Sequence, residues 1–476
     1  MWKENLTFLI IMLVVNAHDY LSYQIDPNTL VFGVSTRAFD RVGLEGYIPS
    51  VAIAALRNDT SIPFLQKIGI ATHIFGTEKM GKISKLMQTK SFSDLVSNYQ
   101  KEKKVSLLIT NISPEVEKAA ANLRTSILGN SFTLRQRFEN KVNVRGIIEL
   151  NSLFPPFLIA QKSELGQLPF TYKSLQQQFG SFVLQDESEH ISGGRGTTIV
   201  HDERAYRLGI QKVAKNKSQQ VVISKYVHGQ SVSIQACITK DGIFHGPLQQ
   251  QIVTEPHLTR PGSSQFAGAQ WSVDPLLTNN LPAASRIVQT VGRAMQSHGY
   301  KGIFGLDLII EESGSIKLVE INARLTALTP PLTLFQNSRN IPSLLFFHVL
   351  EHLNASYKIN DAIELQKALS LSIPFSYLVL HNVSSYSVSI KEKYVSGWYE
   401  HTDGKLSFRA DGVSLRNIEK ENYVLLPDIP VPDRAIVPGA QLVRLFCKGV
   451  VLTKEGNLRP ESIRLIKQIQ ALFSPV

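Results

Sequence analysis

Short apolar runs alternate with helical stretches over the first 130 residues of the chain. The runs lie at residues 29–34, 48–56, 70–75 and 105–110. Each is short enough for a buried strand. After the last run, Ser113 and Pro114 are the residue types of a helix N-cap and first turn. Strands that alternate with helices are typical of a parallel sheet, so we predict an N-terminal α/β domain over residues 1–130.

The longest apolar run covers residues 6–15, about half of the ~20 residues that a membrane-spanning helix needs. We therefore predict no transmembrane segment and no membrane partner. The run suits a buried first strand. The alternative is a secretory signal peptide, because Lys3 precedes the run and small residues follow it at 15–17.

The pattern becomes α+β after residue 130. A basic helix is predicted over residues 131–146, and residues 181–239 give the order strand, glycine loop, strand, helix, strand, turn, strand. A further helix is predicted at residues 283–298, followed by two strands. We assign residues 131–353 to this second domain.

Beyond residue 353 the chain is rich in Ser, Val, Tyr and turn residues. Alternation at residues 386–390 predicts a strand, and residues 460–473 predict a terminal helix. We assign residues 354–476 to a β-rich third domain.

Composition narrows the class of protein. Apolar residues make up 43% and charged residues 19% of the chain, which excludes disorder and coiled coil as the dominant state. With only Cys237 and Cys447, neither a disulfide framework nor a zinc site of paired cysteines can form, which favours a reducing, cytoplasmic location. The net charge of +11 attracts anions, but no basic stripe interleaved with aromatic residues is present, so we expect no nucleic-acid partner.

The strongest chemical signal is a hairpin with opposed carboxylates. If Ser313-Gly314 forms the turn, Asp307 faces Glu320 across the two strands. Like charges in directly opposed positions destabilise a sheet unless a cation lies between them. Asn322 and Arg324 emerge on the same face as Glu320, and this oxygen-rich set suits Mg²⁺. The alternative is a solvated hairpin in which Glu320 pairs with Arg324.

A second signal is the glycine-rich stretch at residues 192–196, between two predicted strands. Its glycines allow backbone N–H groups to converge on phosphate oxygens, and Arg195 adds a cation. A flexible hairpin tip is the alternative. The stretch is not a Walker loop, because no Gly-Lys-Ser/Thr sequence follows it.

These two motifs, in this order, resemble the ATP-grasp superfamily over roughly residues 131–336. The resemblance implies a three-part α/β and α+β fold with an N-terminal parallel-sheet domain, an ATP-grasp unit and a β-rich C-terminal domain. It also implies ATP and Mg²⁺ as cofactors, with Mn²⁺ as an alternative metal, and transfer of the γ-phosphate to a carboxylate to give an acylphosphate that an amine captures.

Site residues follow from the resemblance position by position. Those that match the nucleotide site are Lys141, Gln185, Gly193, Gly194, Arg195, Gly196, Lys225, Tyr226 and Val227. Asp307, Glu320 and Asn322 match the metal ligands, and Arg324 matches the catalytic arginine near the transferred phosphate.

Two positions depart from the family pattern. Gln185 stands where the family usually has a phosphate-binding lysine, and Ser224-Lys225 stands where the linker strand usually has an acidic residue. A hydrogen bond from a lysine ammonium to phosphate contributes about 1.5–3 kcal/mol, and glutamine carries no charge to replace it. Lys225 or Lys162 could compensate for the missing charge.

The sequence therefore predicts a Mg-ATP-dependent ligase that joins a carboxylate to an amine, of the amino-acid or peptide class. Its partners would be these small-molecule or peptide substrates, and a homodimer is compatible with the prediction. The alternatives are a biotin carboxylase-like subunit and a non-catalytic nucleotide-binding or assembly protein. The polar stretch at residues 249–251 and the loop at 261–268 are candidates for an acceptor pocket, or simply a polar strand and a surface loop.

Overall fold

The computed structural model describes residues 19–76, 81–187, 196–216, 218–260, 265–390, 394–402, 404–415, 418, 420, 422–432 and 434–476. The strand predicted at residues 6–15 lies outside them. In this part of the chain, no helix has the length and apolar character to cross a membrane.

The N-terminal part is a five-stranded parallel sheet, which confirms the prediction. Its strands are β2 (Thr29–Ser35), β3 (Val51–Ala55), β4 (Ala71–Ile74), β5 (Lys104–Ile109) and β6 (Ser126–Ile127), in the order β4-β3-β2-β5-β6. The helices are α1 (Ile62–Lys67), α2 (Ile83–Met87), α3 (Lys90–Gln100) and α4 (Pro114–Asn122). Strand β2 is buried along its whole length, because a parallel sheet is covered on both faces. Ser113 Oγ caps α4 by accepting a hydrogen bond from Val116 N.

A four-stranded antiparallel sheet follows. Its strands are β7 (Phe157–Gln161), β8 (Phe182–Asp186), β9 (Thr197–Val200) and β10 (Gln220–Lys225), in the order β7-β10-β8-β9. Helices α7 (Tyr172–Phe179) and α8 (Glu203–Ala214) pack on one face, in a core that contains Leu184, Val221 and Ile223. Because side chains alternate along a strand, Gln185 and Ser224 lie on the opposite face.

The next strands form a larger antiparallel sheet. They are β11 (Gln230–Thr239), β12 (Gly242–His245), β13 (Gln249–Val253), β14 (Phe266–Trp271), β15 (Gly302–Ile310) and β16 (Ile316–Asn322). The order is β16-β15-β11-β13-β14, with β12 paired to the end of β11. Helices α9 (Pro275–Thr278) and α10 (Leu281–Gln296) follow β14, and Ile287, Val288 and Val291 of α10 pack into the core beneath the sheet.

The same sheet continues through the C-terminal part of the chain. Its further strands are β18 (Phe375–His381), β20 (Gly397–Thr402), β21 (Lys405–Ala410), β22 (Tyr423–Leu426) and β23 (Gln441–Lys448), which extend it as β14-β18-β23-β22-β20-β21. Two small pairs also form, β1 (Leu21–Gln24) with β17 (Ser356–Ile359) and β19 (Val388–Ile390) with β24 (Phe473–Pro475). Helices of this half are α11 (Thr329–Ser338), α12 (Leu344–Leu353), α13 (Ala362–Ser370) and α14 (Pro460–Gln470).

The single helix predicted over residues 131–146 is wrong. Helix α5 (Phe132–Glu139) ends at Asn140, whose Oδ1 accepts hydrogen bonds from Val142 N and Asn143 N, and a 3₁₀ turn follows at Asn143–Gly146. An asparagine side chain that satisfies nearby backbone N–H groups offers an alternative to the helical ladder. Helix α6 (Ile148–Asn151) follows the turn.

Residues 153–157 connect the two antiparallel sheets. Leu153 O accepts from Leu318 N of β16 at 2.9 Å, and Pro156 O accepts from Lys225 N of β10 at 2.9 Å. Phe157, which faces Ser224 across β7 and β10, packs against the core of the larger sheet. The face of the smaller sheet that carries Ser224 and Gln185 is therefore turned toward the larger sheet across a cleft.

Candidate active site

The opposed carboxylates lie where the sequence places them. Asp307 of β15 pairs with Glu320 of β16, and a bulge follows Asp307. Asp307 Oδ1 accepts from Gln251 Nε2 at 2.7 Å, and its Oδ2 accepts from Asn322 Nδ2 at 2.9 Å. The predicted register is therefore confirmed, and the structure brings Asp307, Glu320 and Asn322 together at one end of the cleft.

The negative charge of Asp307 and Glu320 is only partly balanced by neighbouring positive charge. The Asp307 side chain keeps some contact with solvent, but burial, reinforced by the charge of Glu320, raises the pKa of its carboxyl to about 6 despite the two amide donors. Lys141 Nζ lies 3.4 Å from Glu320 Oε1. Two carboxylates held this close favour a bound cation.

The residues fit Mg²⁺. No group of three or more His, Cys, Asp or Glu side chains that could hold a metal ion is present in the described part of the chain, so the protein offers two carboxylates and an amide rather than a full cage. Mg²⁺ usually binds one or two carboxylates together with substrate phosphates and water. Asp307, Glu320 and Asn322 would hold such an ion.

Arg324 lies two residues after the end of β16 and is bound by a carboxylate of α5. Its Nη1 donates to Glu139 Oε1 of α5 at 2.5 Å, and Glu139 Oε2 accepts from Arg135 Nε at 2.9 Å. Burial opposes the charge of Arg324, but Glu139, Glu320 and Asp307 together raise the pKa of its guanidinium. The contact to Glu139 differs from the solvated-hairpin alternative, in which Arg324 pairs with Glu320.

Arg135 also connects Glu139 to the N-terminal sheet through hydrogen bonds. Arg135 Nη1 donates to Asn111 Oδ1 at 2.5 Å and to Ile112 O at 2.7 Å, just after β5. Glu139 and Arg135 were not predicted from the sequence. Because they are four residues apart on a predicted helix, an ion pair between them could have been predicted. Nothing in the sequence links Glu139 to Arg324.

The two departures from the family pattern lie next to each other on β8 and β10. Val222 pairs with Gln185 and Ser224 with Val183, so Gln185 and Ser224 are diagonal neighbours on the cleft face. Gln185 is buried, and so is Ser224. The lysine and the acidic residue of the family pattern are thus replaced together by two neutral side chains.

Neither proposed substitute for that lysine lies on the cleft face. Lys225 follows Val221 and Ile223 in the alternation of β10, so it leaves the strand on the helix-covered face, where it is exposed. Lys162 Nζ donates to Asp186 Oδ2 at 2.9 Å, Val213 O at 2.6 Å and Asn216 O at 3.3 Å. These three bonds occupy its donors, so the suggested compensation by Lys162 or Lys225 is wrong for this structure.

The glycine loop is only partly described. Gly193, Gly194 and Arg195 lie outside the described residues, whereas Gly196 O accepts from Asp186 N at 3.0 Å just before β9. In the linker after β10, Tyr226 N donates to Ser181 O, and its ring packs edge-to-face against His228. Val227 is half-buried beside it.

The glutamine stretch of β13 divides between two faces. Gln251 contacts Asp307, and Gln249 Nε2 donates to Ser233 Oγ at 3.0 Å, so both lie on the face of the carboxylates. Gln250 donates to Gln230 Oε1 and accepts from Gln270 Nε2 on the opposite face. Gln249 and Gln251 remain candidates for an acceptor pocket, and Gln250 is part of a structural amide ladder. The loop candidate at 261–268 lies partly outside the described residues.

A second cation missed in the sequence is Arg145, in the turn after Lys141. Its guanidinium lies over the rings of Phe154 and Phe157, at 4.5 and 5.2 Å from their centroids. Its Nη1 donates to Lys141 O at 2.7 Å.

Comparisons with known proteins agree with this geometry. A family model described as an ATP-grasp domain matches residues 169–328, which include Asp307, Glu320, Asn322 and Arg324. A curated relative, the [butirosin acyl-carrier protein]–L-glutamate ligase of Niallia circulans, is 24% identical over 278 residues. The match covers 56% of this chain, and the chain spans 62% of the length of that relative.

Solved structures share the fold at low identity. The biotin carboxylase domain of a Hydrogenobacter thermophilus 2-oxoglutarate carboxylase, solved with MgADP and bicarbonate, has a TM-score of 0.58 at 12% identity, covering 88% of this chain and 86% of that one. The phosphoribosylamine–glycine ligase of Thermotoga maritima has a TM-score of 0.56 at 13% identity, covering 94% and 97%. An Aspergillus clavatus carboxyaminoimidazole ribonucleotide synthase, solved with ATP, has a TM-score of 0.51 at 14% identity, covering 94% and 98%.

The resemblance found in the sequence is thus confirmed by an independent family match that contains the opposed carboxylates, and by a fold shared over nearly the whole chain. Residues 169–328 match the family model of an ATP-grasp domain, and the curated relative matched at 24% identity is a ligase.

Proposed function

We propose that the protein is a Mg-ATP-dependent ligase that joins a carboxylate to an amine through an acylphosphate. The observation that carries the proposal is the Asp307–Glu320 pair, opposed on β15 and β16 with Asn322 beside it and Arg324 two residues after the end of β16. This set combines ligands for a hard cation with a guanidinium for a transferring phosphoryl group.

Each residue of the site has a defined part in this scheme. Asp307, Glu320 and Asn322 hold Mg²⁺, which when bound neutralises the phosphate charge. Lys141, beside Glu320, contacts the nucleotide phosphates. Arg324 stabilises charge on the γ-phosphoryl group as a carboxylate oxygen bonds to its phosphorus and the bond to ADP breaks. An amine then attacks the acyl carbon, inorganic phosphate leaves, and the amine loses a proton.

We infer an amino-acid or peptide substrate class. The curated relative is a ligase of L-glutamate and an acyl-carrier protein, and an amino acid supplies both a carboxylate and an amine. Gln249 and Gln251, on the carboxylate face of β13, offer neutral hydrogen-bonding groups suited to amide or amine recognition.

The first test is calorimetric titration of ATP with and without Mg²⁺, on the wild type and on Glu320→Gln. We expect Mg²⁺-dependent binding that weakens at least tenfold in the variant, because one metal charge is removed while shape is kept. Glu312→Gln, in the exposed turn of the same hairpin, is the matched control and should bind as the wild type. Equal Mg²⁺-dependent binding in Glu320→Gln would contradict the metal assignment.

Phosphate release from ATP, measured against a panel of carboxylates and amines, then tests turnover. Release that needs both a carboxylate and an amine supports the ligase. Gln185 favours one second candidate, a protein that binds nucleotide without turning it over. That candidate expects MgATP binding but no phosphate release with any substrate pair.

A further inference from the structure

The described cleft lacks a free cation for the nucleotide phosphates on its small-sheet side. Gln185 and Ser224 are neutral, Lys162 is bound to Asp186, and Lys225 lies on the other face. On the opposite side, Lys141 is shared with Glu320 and Arg324 with Glu139. A nucleoside triphosphate in the described cleft would therefore meet fewer available positive charges than the family pattern implies.

Arg145 is a buried guanidinium without a carboxylate partner. The residue is 3% exposed, and within the described part of the chain it forms one hydrogen bond, to Lys141 O, and no ion pair. Its Nε is buried and has no hydrogen-bond partner there. Burial lowers the pKa of Arg145 to about 10, and Glu320 acts in the opposite direction. A buried charge without a counterion is costly, so an anion at this place would stabilise the protein.

The position of Arg145 points to the cleft. It packs on Phe154 and Phe157, in the segment that is bonded to β16 on one side and to β10 on the other. Phe157 faces Ser224 across the strands, while Glu320 is close enough to influence Arg145 electrostatically. Arg145 thus lies at the base of the cleft, between the neutral Gln185–Ser224 pair and the metal carboxylates.

We propose that Arg145 binds the polyphosphate of the nucleotide and supplies the positive charge that Gln185 does not. A guanidinium is suited to this task because its planar fork bonds two phosphate oxygens at once. The two phenylalanine rings hold the fork in place, so little side-chain freedom is lost on binding. This inference rests on the proposed function, since it assigns a phosphate contact within the same nucleotide site.

The test compares Arg145→Met and Arg145→Lys with the wild type. Binding of MgATP, MgADP and adenosine is measured by competition against a fluorescent ATP analogue, with thermal unfolding as a check on folding. We expect Arg145→Met to weaken MgATP and MgADP at least tenfold and to leave adenosine unchanged, and Arg145→Lys to lie between. Arg137→Met, which removes an exposed cation from α5, should bind all three ligands as the wild type.

The outcomes separate this inference from the proposed function. If the wild type binds no magnesium nucleotide, the proposed function fails and the inference falls with it. If the wild type binds MgATP and Arg145→Met binds it equally well, only the assignment of Arg145 is overturned. An equal loss for adenosine and MgATP would also overturn it, because the residue would then serve only to shape the cleft.

Discussion

Asp59 is a carboxyl group buried where the N-terminal sheet meets the C-terminal strands. Its Oδ1 accepts from Ser61 N at 2.9 Å and from Ser61 Oγ, while its Oδ2 has no partner in the described structure. Burial and the neighbouring Asp428 raise the pKa of Asp59 to about 6, against the opposing effects of Ser61 and Arg37. The folded protein therefore binds this proton more tightly than the unfolded chain does.

This shift predicts a pH dependence of stability. The contribution of the Asp59 proton is complete below about pH 4 and is lost as pH rises through about 6, a change on the order of 3 kcal/mol. Asp59→Asn stays neutral, so its free energy of unfolding should increase relative to that of the wild type between pH 4 and pH 8. Urea unfolding across this range measures that difference, and Asp94→Asn, at an exposed position, is the control. Parallel pH profiles for Asp59→Asn and the wild type would contradict the prediction.

At the scale of single residues, the sequence predicts contacts within one hairpin and misses contacts between distant segments. The Asp307–Glu320 register follows from the turn at Ser313-Gly314 alone. The Glu139–Arg324 contact joins residues 185 positions apart, and no local pattern encodes such a pairing. Arg145 could not be found from the sequence for the same reason, because its burial depends on how Phe154 and Phe157 pack.

At the scale of elements, a buried ion pair fixes the N-terminal sheet to the C-terminal strands. Arg37 follows β2, and its Nη1 donates to Asp428 Oδ2 at 2.8 Å; both side chains are almost fully buried. Asp428 also accepts from Gln441 Nε2 at 3.1 Å and from Arg444 N at 2.9 Å. Asp428 thus satisfies donors from both halves of the chain.

Removing one partner of this pair should be costly. Asp428→Ala leaves Arg37 buried without its carboxylate, and such a loss destabilises proteins by about 3–5 kcal/mol. The double variant Arg37→Met/Asp428→Leu should lose less than Asp428→Ala, because it leaves no buried Arg37 charge, while Arg444, which loses its contact with Asp428 in both variants, keeps Asp40. Urea unfolding measures both. Glu203→Ala, which breaks the exposed pair with Arg207, should cost less than about 1 kcal/mol. A double variant less stable than Asp428→Ala would contradict this account.

The element boundaries show where local patterns mislead. The helix expected over residues 131–146 has the right residue types, but Asn140 bonds to the backbone N–H groups that follow it and ends α5. That break places Lys141 beside Glu320 and starts the turn that carries Arg145. The deviation from the helix pattern therefore coincides with two cations near the opposed carboxylates, Lys141 and Arg145.

At the scale of the whole molecule, the parallel N-terminal sheet and the β-rich C-terminal part were predictable, because the spacing of apolar residues differs between these two parts of the chain. That the second and third parts share one sheet was not predictable from the sequence. Strand β14 pairs with β18, from Gly268 opposite Leu378 to Trp271 opposite Phe375, so one sheet runs from β16, which carries Glu320, to β21. Pairing between strands about 100 residues apart leaves no mark in either strand.

Because one sheet spans the second and third parts of the chain, a truncation between them should expose a strand. A fragment that stops at residue 353 would leave β14 as a bare sheet edge, and would uncover Trp271, whose ring stacks on Phe375 at 4.2 Å. An unpaired apolar strand at a sheet edge can pair with strands of other molecules. We expect such a fragment to form soluble aggregates or precipitate, and size-exclusion chromatography beside the full chain would show it. A monodisperse, folded fragment would mean that β14 can protect its own edge.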